Sequence, residues 1–186
     1  MVDKEKVKKL IYQLLIALGE NPDRSGLLDT PRRVADMFEE LCSGMDEDVK
    51  KHVKLFTDES HYDEVILVKD IPFSSTCEHH LLPFVGVVHI AYIPSMGRII
   101  GLSKLSRIVN SFSKRLQVQE RLTSEIVDFI NDELKPHGVA VAIEAEHTCM
   151  TVRGARAIGA KTKTVAFRGN ARTKEKVKNE ILDLLS

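Results

Sequence analysis

The stretch FVGVVHIAYIP, residues 84 to 94, restricts the possible folds of this chain more than any other. Val85, Val87, His89, Ala91 and Ile93 alternate with Gly86, Val88, Ile90 and Tyr92, the two-residue period of a strand. A Pro-Ser-Met-Gly turn and a short partner at RIIG follow it. DEVILVKDI upstream, and VAVAIEAEH and TKTVAFRG downstream, read as further strands. Between them lie two segments of helical period. Leu105, Ile108, Val109 and Phe112 share one face of SKLSRIVNSFSKR, and Leu122, Ile126, Phe129 and Ile130 share one face of QERLTSEIVDFINDEL, which Pro136 and Gly138 end. The order strand, strand, helix, helix, strand, strand predicts an α+β layer, a four-stranded antiparallel sheet with two antiparallel helices on one face. The edges of such a sheet must be covered, charged or paired with another copy, and pairing predicts an oligomer.

The N-terminal part is helical. Val7, Leu10, Ile11, Leu14, Leu15 and Leu18 follow helical spacing, and Gln13 interrupts the apolar run that a signal peptide needs. TPRRVADMFEELCSG reads as a second helix with Thr30 as N-cap, Pro31 in the first turn, Val34, Met37, Phe38 and Leu41 on one face, and Gly44 as the stop. A C-terminal helix carries Val177, Ile181 and Leu184. No apolar run reaches the ~18 residues of a membrane span. Lys plus Arg and Asp plus Glu each number 27, so no net field attracts nucleic acid or an anionic surface. Three cysteines form no secreted disulfide framework and predict a reducing, cytoplasmic location. Cys42 reads as a small buried hydrophobe without a role.

The other two cysteines lie in motifs. In STCEHHLLPF, Cys77 and His80 offer a thiolate and an imidazole from one tight turn, with His79 pointing elsewhere. In EHTC, His147 and Cys149 stand two apart at the end of an alternating strand, a spacing that turns both to one side. If Cys149 joins Cys77 and His80, a zinc ion has three protein ligands and a fourth position open to water, with His147 beside it. Two other readings stay open: plain core packing of cysteines and histidines, and a structural zinc with His147 as fourth ligand.

Six blocks, TPRRVADMF, STCEHHLLPF, HIAYIP, IIGLSKLSRIV, QVQERLT and HTCMTVRGAR, resemble the GTP cyclohydrolase I family in order and spacing over about residues 5 to 170. The resemblance implies conversion of GTP and water to 7,8-dihydroneopterin triphosphate and formate, the entry to tetrahydrofolate and pterin biosynthesis. It implies a tunnel-forming fold, with a helical region over residues 1–60, a catalytic region over 61–186 and ten copies in two face-to-face rings. It assigns Cys77, His80 and Cys149 to zinc, and His147 to proton transfer at the guanine imidazole ring. His79 and Ser103 are assigned to the later rearrangement of the opened ribose. Glu120, with Gln119 beside it, takes the guanine edge, and Lys104, Arg107, Arg153 and Arg33 take the triphosphate. Leu116 departs from the family, standing where many relatives have proline. RGNARTKEKV lacks a phenylalanine common after its glycine, and the N-terminus leaves little room for a regulatory arm. The alternatives are other tunnel-fold enzymes, a nitrile reductase or a three-histidine pterin synthase, and a non-catalytic pterin-binding scaffold with a structural zinc.

Overall fold

The computed structural model describes residues 1–57 and 62–185. The expected boundary at residues 60 and 61 lies outside the described residues. In chain order the elements are α1 (Lys4–Ala17), α2 (Thr30–Leu41), β1 (Leu55–Thr57), β2 (Ile66–Cys77), β3 (Pro83–Ile93), β4 (Arg98–Ile100) and α3 (Leu102–Ser113). They continue with β5 (Leu116–Gln117), α4 (Gln119–Leu134), β6 (Gly138–His147), α5 (Thr148–Thr151), β7 (Lys161–Gly169), α6 (Asn170–Thr173) and α7 (Glu175–Leu185).

The expected sheet is present as β2, β3, β6 and β7, antiparallel neighbours in that order. Two pairings differ from the sequence reading. The two residues of β5 pair in parallel with Thr76 and Cys77 at the edge of β2, and β4, expected at RIIG as a partner of residues 84–94, pairs instead with β1 in a separate two-stranded sheet. Leu116 therefore starts a strand pairing.

One face of the sheet carries the main core. Phe84, Val88, Ile90 and Tyr92 of β3 and Val139, Val141, Ile143 and Ala145 of β6 meet Leu105, Ile108 and Val109 of α3 and Leu122, Ile126 and Ile130 of α4. Lys135, in the left-handed region at φ 49°, ends α4, with Pro136 next. The C-terminal helix packs on the opposite face, where Ile181 and Leu185 bury Ala91, Ala140 and Ala142. Leu184, expected on its apolar side, is exposed.

Helices α1 and α2 pack on each other, and no residue of α1 is buried. Asp29, not Thr30, is the N-cap of α2. Gly44 does not end that helix, which stops at Leu41. It allows close approach instead: a Cβ there would meet the Ser111 carbonyl oxygen at 2.0 Å, and its N–H donates to Lys114 O at 2.8 Å. Cys42 is half-buried.

A bulge in β2 sets which side chains face the core. Val68 pairs with Ile90 and Ile71 with Val88, so Lys69 and Asp70 together oppose His89. Before the bulge the even residues Ile66 and Val68 face the helices; after it the odd residues Ile71, Phe73 and Cys77 do. Asp70 holds the extra residue in the left-handed region at φ 58°, and its N–H donates to His89 Nδ1 at 3.1 Å.

That bond requires neutral His89. Burial lowers its pKa below the ordinary 6.5, with Asp70 and Glu144 opposing and Lys69 and Lys163 reinforcing. The folded chain thus binds this proton less tightly than the unfolded chain. The contribution to stability is complete above about pH 6.5 and falls as pH drops through the window below it. Urea unfolding at about pH 7.5 and about pH 5.5 should give a smaller acid loss for His89→Gln, whose amide oxygen still accepts from Asp70, than for the unaltered chain.

Candidate active site

Strand β2 ends at Cys77, whose N–H donates to Leu82 O at 2.8 Å, closing a tight turn into β3. The Cys77 carbonyl accepts from Leu81 N–H at 2.8 Å and His80 N–H at 3.3 Å, and Leu81 takes φ 55° to let the chain reverse. This turn brings His80 Nδ1 to 3.8 Å from Cys77 Sγ. His79 does not point elsewhere: its Nδ1 lies 4.0 Å from the same sulfur.

Cys149 arrives by a different route from the one its spacing suggests. Strand β6 stops at His147, and Cys149 sits in the single helical turn α5, so strand alternation does not aim it. Thr148 Oγ1 ties that turn to Pro83 O at 2.6 Å. The ligand atoms of Cys77, His80 and Cys149 lie within 4.8 Å of one another, with Cys77 buried, Cys149 half-buried and His80 exposed. Ligand atoms around one tetrahedral zinc stand about 3.5–3.8 Å apart, given Zn–S near 2.3 Å and Zn–N near 2.1 Å. The donor set also suits a cation. Burial first, then the neighbouring Cys77 sulfur, pushes the Cys149 thiol up, so ionising both thiols calls for a compensating positive charge. His147 falls outside this cluster.

His147 is fixed from two sides. Its ring stacks on Phe84, 4.7 Å between centroids and 2° from parallel, because the two residues are partners in the β3–β6 ladder. Its Nε2 lies 2.8 Å from Gln119 Oε1. The Gln119 amide nitrogen donates to Ile143 O at 3.0 Å, Thr162 O at 3.0 Å and Thr164 Oγ1 at 3.1 Å. A nitrogen surrounded by oxygens is the donor end of the amide, so Oε1 accepts and His147 carries its proton on Nε2. Burial lowers the His147 pKa, with the Glu120 charge opposing. Gln119, expected beside the substrate edge, is buried with its side chain engaged internally.

A cavity of about 230 Å³ joins these groups: Cys77, His79, His80, Gln119, Glu120, His147 and Cys149 all line it. Glu120 is exposed on the first turn of α4. Ser103, Lys104, Arg107, Arg153 and Arg33 do not line this cavity. Arg107 borders a separate one of about 420 Å³ with Glu47 and His52. Arg33 lies on α2, paired with Asp29 at 3.2 Å, and the Arg153 charge acts on Cys149. Sequence reasoning missed Phe84 and Thr164. The position of Phe84 opposite the strand end of His147 was the available signal; nothing marked Thr164.

The family model for GTP cyclohydrolase I matches residues 7–186. The GTP cyclohydrolase 1 of Thermoanaerobacter pseudethanolicus is 58% identical over 186 residues, covering 100% of this chain and 98% of the relative. That of Acetivibrio thermocellus is 51% identical, with 100% and 99% covered. That of Listeria monocytogenes is 50% identical, with 99% and 97% covered. Similarity of this extent, over a chain whose strand ends gather two cysteines and three histidines around one cavity, identifies it as an enzyme of the GTP cyclohydrolase I family.

Proposed function

We propose that this chain is a zinc-dependent GTP cyclohydrolase I, converting GTP and water to 7,8-dihydroneopterin triphosphate and formate at the start of tetrahydrofolate and pterin biosynthesis. The observation that carries the reading is the convergence of Cys77, His80 and Cys149 beside an oriented His147 and the Glu120 carboxylate in one cavity. Cys77, His80 and Cys149 would hold a zinc ion, which would supply Lewis acidity that lowers the pKa of water to about 7.

The remaining roles belong to the chain's own groups. His147, with Nε2–H committed to Gln119, has Nδ1 to accept or return a proton at the guanine imidazole ring. Gln119 serves by holding that orientation beside the guanine edge. Glu120 accepts the paired N–H groups of guanine, a pair that adenine lacks. His79 and Ser103 take the proton transfers of ribose rearrangement, and Lys104, Arg107, Arg153 and Arg33 take the triphosphate. The alternative is a non-catalytic pterin-binding scaffold with a four-ligand structural zinc. His147 lies outside the cluster of Cys77, His80 and Cys149, and that weighs against it.

The assembly reading is a homodecamer of two pentameric rings with sites between subunits. It is supported by β7 as a sheet edge and by the α2 and α3 cations not being among the residues that line this cavity. Residues 1–60 then form a helical support for a catalytic region over 61–186. No helix among the described residues is long and apolar enough to cross a membrane. We infer a cytoplasmic location from the three free cysteines, which suit a reducing compartment.

Purified protein incubated with GTP and zinc should release formate and yield a fluorescent pterin after oxidation. Cys77→Ser and Cys149→Ser should lose zinc and turnover and keep their fold, whereas His147→Ser should keep zinc and stall. Zinc loss in His147→Ser would favour the structural-zinc scaffold. Glu120→Gln should weaken GTP binding by roughly 30-fold or more, since a lost charged partner costs on the order of 2–5 kcal/mol. Near-normal binding would remove Glu120 from the guanine site. Inactive Cys77→Ser and Glu120→Ala chains, dissociated and reassembled together, should regain part of the activity. An active monomer would assign a complete site to each chain.

A further inference from the structure

The metal-ligand turn is tied to α4 by groups outside the candidate ligand set. Arg121, one residue beyond Glu120, donates through Nη2 to the Glu78 carboxylate, inside the Cys77–Leu82 turn, and to Leu116 O at 2.9 Å. Its Nε donates to Gln117 Oε1 at 2.8 Å. Gln117 is buried, and its Nε2 donates to Phe112 O at 3.1 Å and Glu125 Oε2 at 2.8 Å, which leaves Oε1 to face Arg121. Glu78 N–H donates to Gln117 O at 3.0 Å. The turn is therefore held at its backbone by β5 and at its side chain by Arg121.

We propose that Arg121 is a positioning residue that clamps the Cys77–His80 turn, through Glu78, to the first turn of α4, holding the metal ligands in fixed relation to Gln119 and Glu120. The proposal rests on the metal reading given above. A planar guanidinium suits the task because its fork reaches a carboxylate and two carbonyl oxygens from one rigid group. Without the clamp the turn keeps its covalent link to β2 and β3 and the β5 backbone contact. It loses the side-chain restraint between the strand layer and α4. Metal affinity then falls because the ligands must be ordered on binding.

The test uses Arg121→Gln, Glu78→Ala and the double variant in the otherwise unaltered full chain. Zinc affinity is read by competition with a chromophoric chelator, and backbone hydrogen exchange is read across residues 78–82 of the zinc-free protein. Each single variant should exchange faster in this turn and bind zinc on the order of tenfold more weakly. The double variant should be no worse than the more affected single one, since both remove the same contact. Glu78 is a solvent-facing side chain, so Glu78→Ala keeps the test open should Arg121→Gln fold poorly. Unchanged exchange in Glu78→Ala, or two effects that simply add, overturns the clamp. Faster exchange with unaltered zinc affinity overturns its link to the metal. Cys77→Ser retaining zinc would overturn the metal reading instead, independently of the exchange result.

Discussion

One hydrogen bond from backbone to side chain, Asp70 N–H to His89 Nδ1, closes the bulge that sets the phase of β2. Successive strand residues face opposite sides, so one extra residue exchanges the core and outer sets from that point on. Without it, the phase of Ile66 and Val68 would carry on and Cys77 would face away from α3 and α4, on the opposite side from His147. The bulge and the β3–β6 register together decide that two strand ends meet with their reactive side chains on one side. The three candidate ligands then need only short turns to converge.

Polar side chains buried at the junction of sheet and helices complete this arrangement. Gln117 in β5 and Gln119 at the start of α4, two residues apart, are both fully bonded and point to different tasks. Gln117 braces the turn that holds Cys77 and His80, and Gln119 braces His147. Each is a buried amide whose donors and acceptor are all used, the condition under which a polar group inside a protein adds specificity. The Cys77–His80 turn and the His147 ring are thereby referred to β5 and the first turn of α4, which also bears Glu120.

Much of this was legible from residue order. The period of two in residues 84–94 and 139–147, and the helical spacing in 119–134, reported β3, β6 and α4 closely because burial of one face imposes those periods on the sequence. The bulge was not legible, since it depends on a histidine across the ladder and not on the run DEVILVKDI itself. Strand β5 is too short to leave a period. The convergence of Cys77, His80 and Cys149 was readable from donor chemistry, yet the reason offered for Cys149 was wrong: a helical turn, not strand alternation, delivers it. The internal commitment of Gln119 was hidden because its partners come from β6 and β7, remote in the chain. The cations Lys104, Arg107 and Arg33 carried no signal of their own, as a solvated Lys or Arg looks the same in any sequence.

Phe84 serves two masters. It is fully buried, packs edge-on against Phe73 at 5.8 Å, and lies parallel to the His147 imidazole. Packing that shifts or tilts this ring also tilts the imidazole, so the core around Phe73 cannot be refilled without changing the aim of a proton-carrying group. Variation that improves fit in this corner is thus screened twice, once for stability and once for alignment. The sheet interior here is less free to drift than the equally buried contacts of Ile126 and Ile130, and a stabilised version of this enzyme is better sought at the far end of the helix layer.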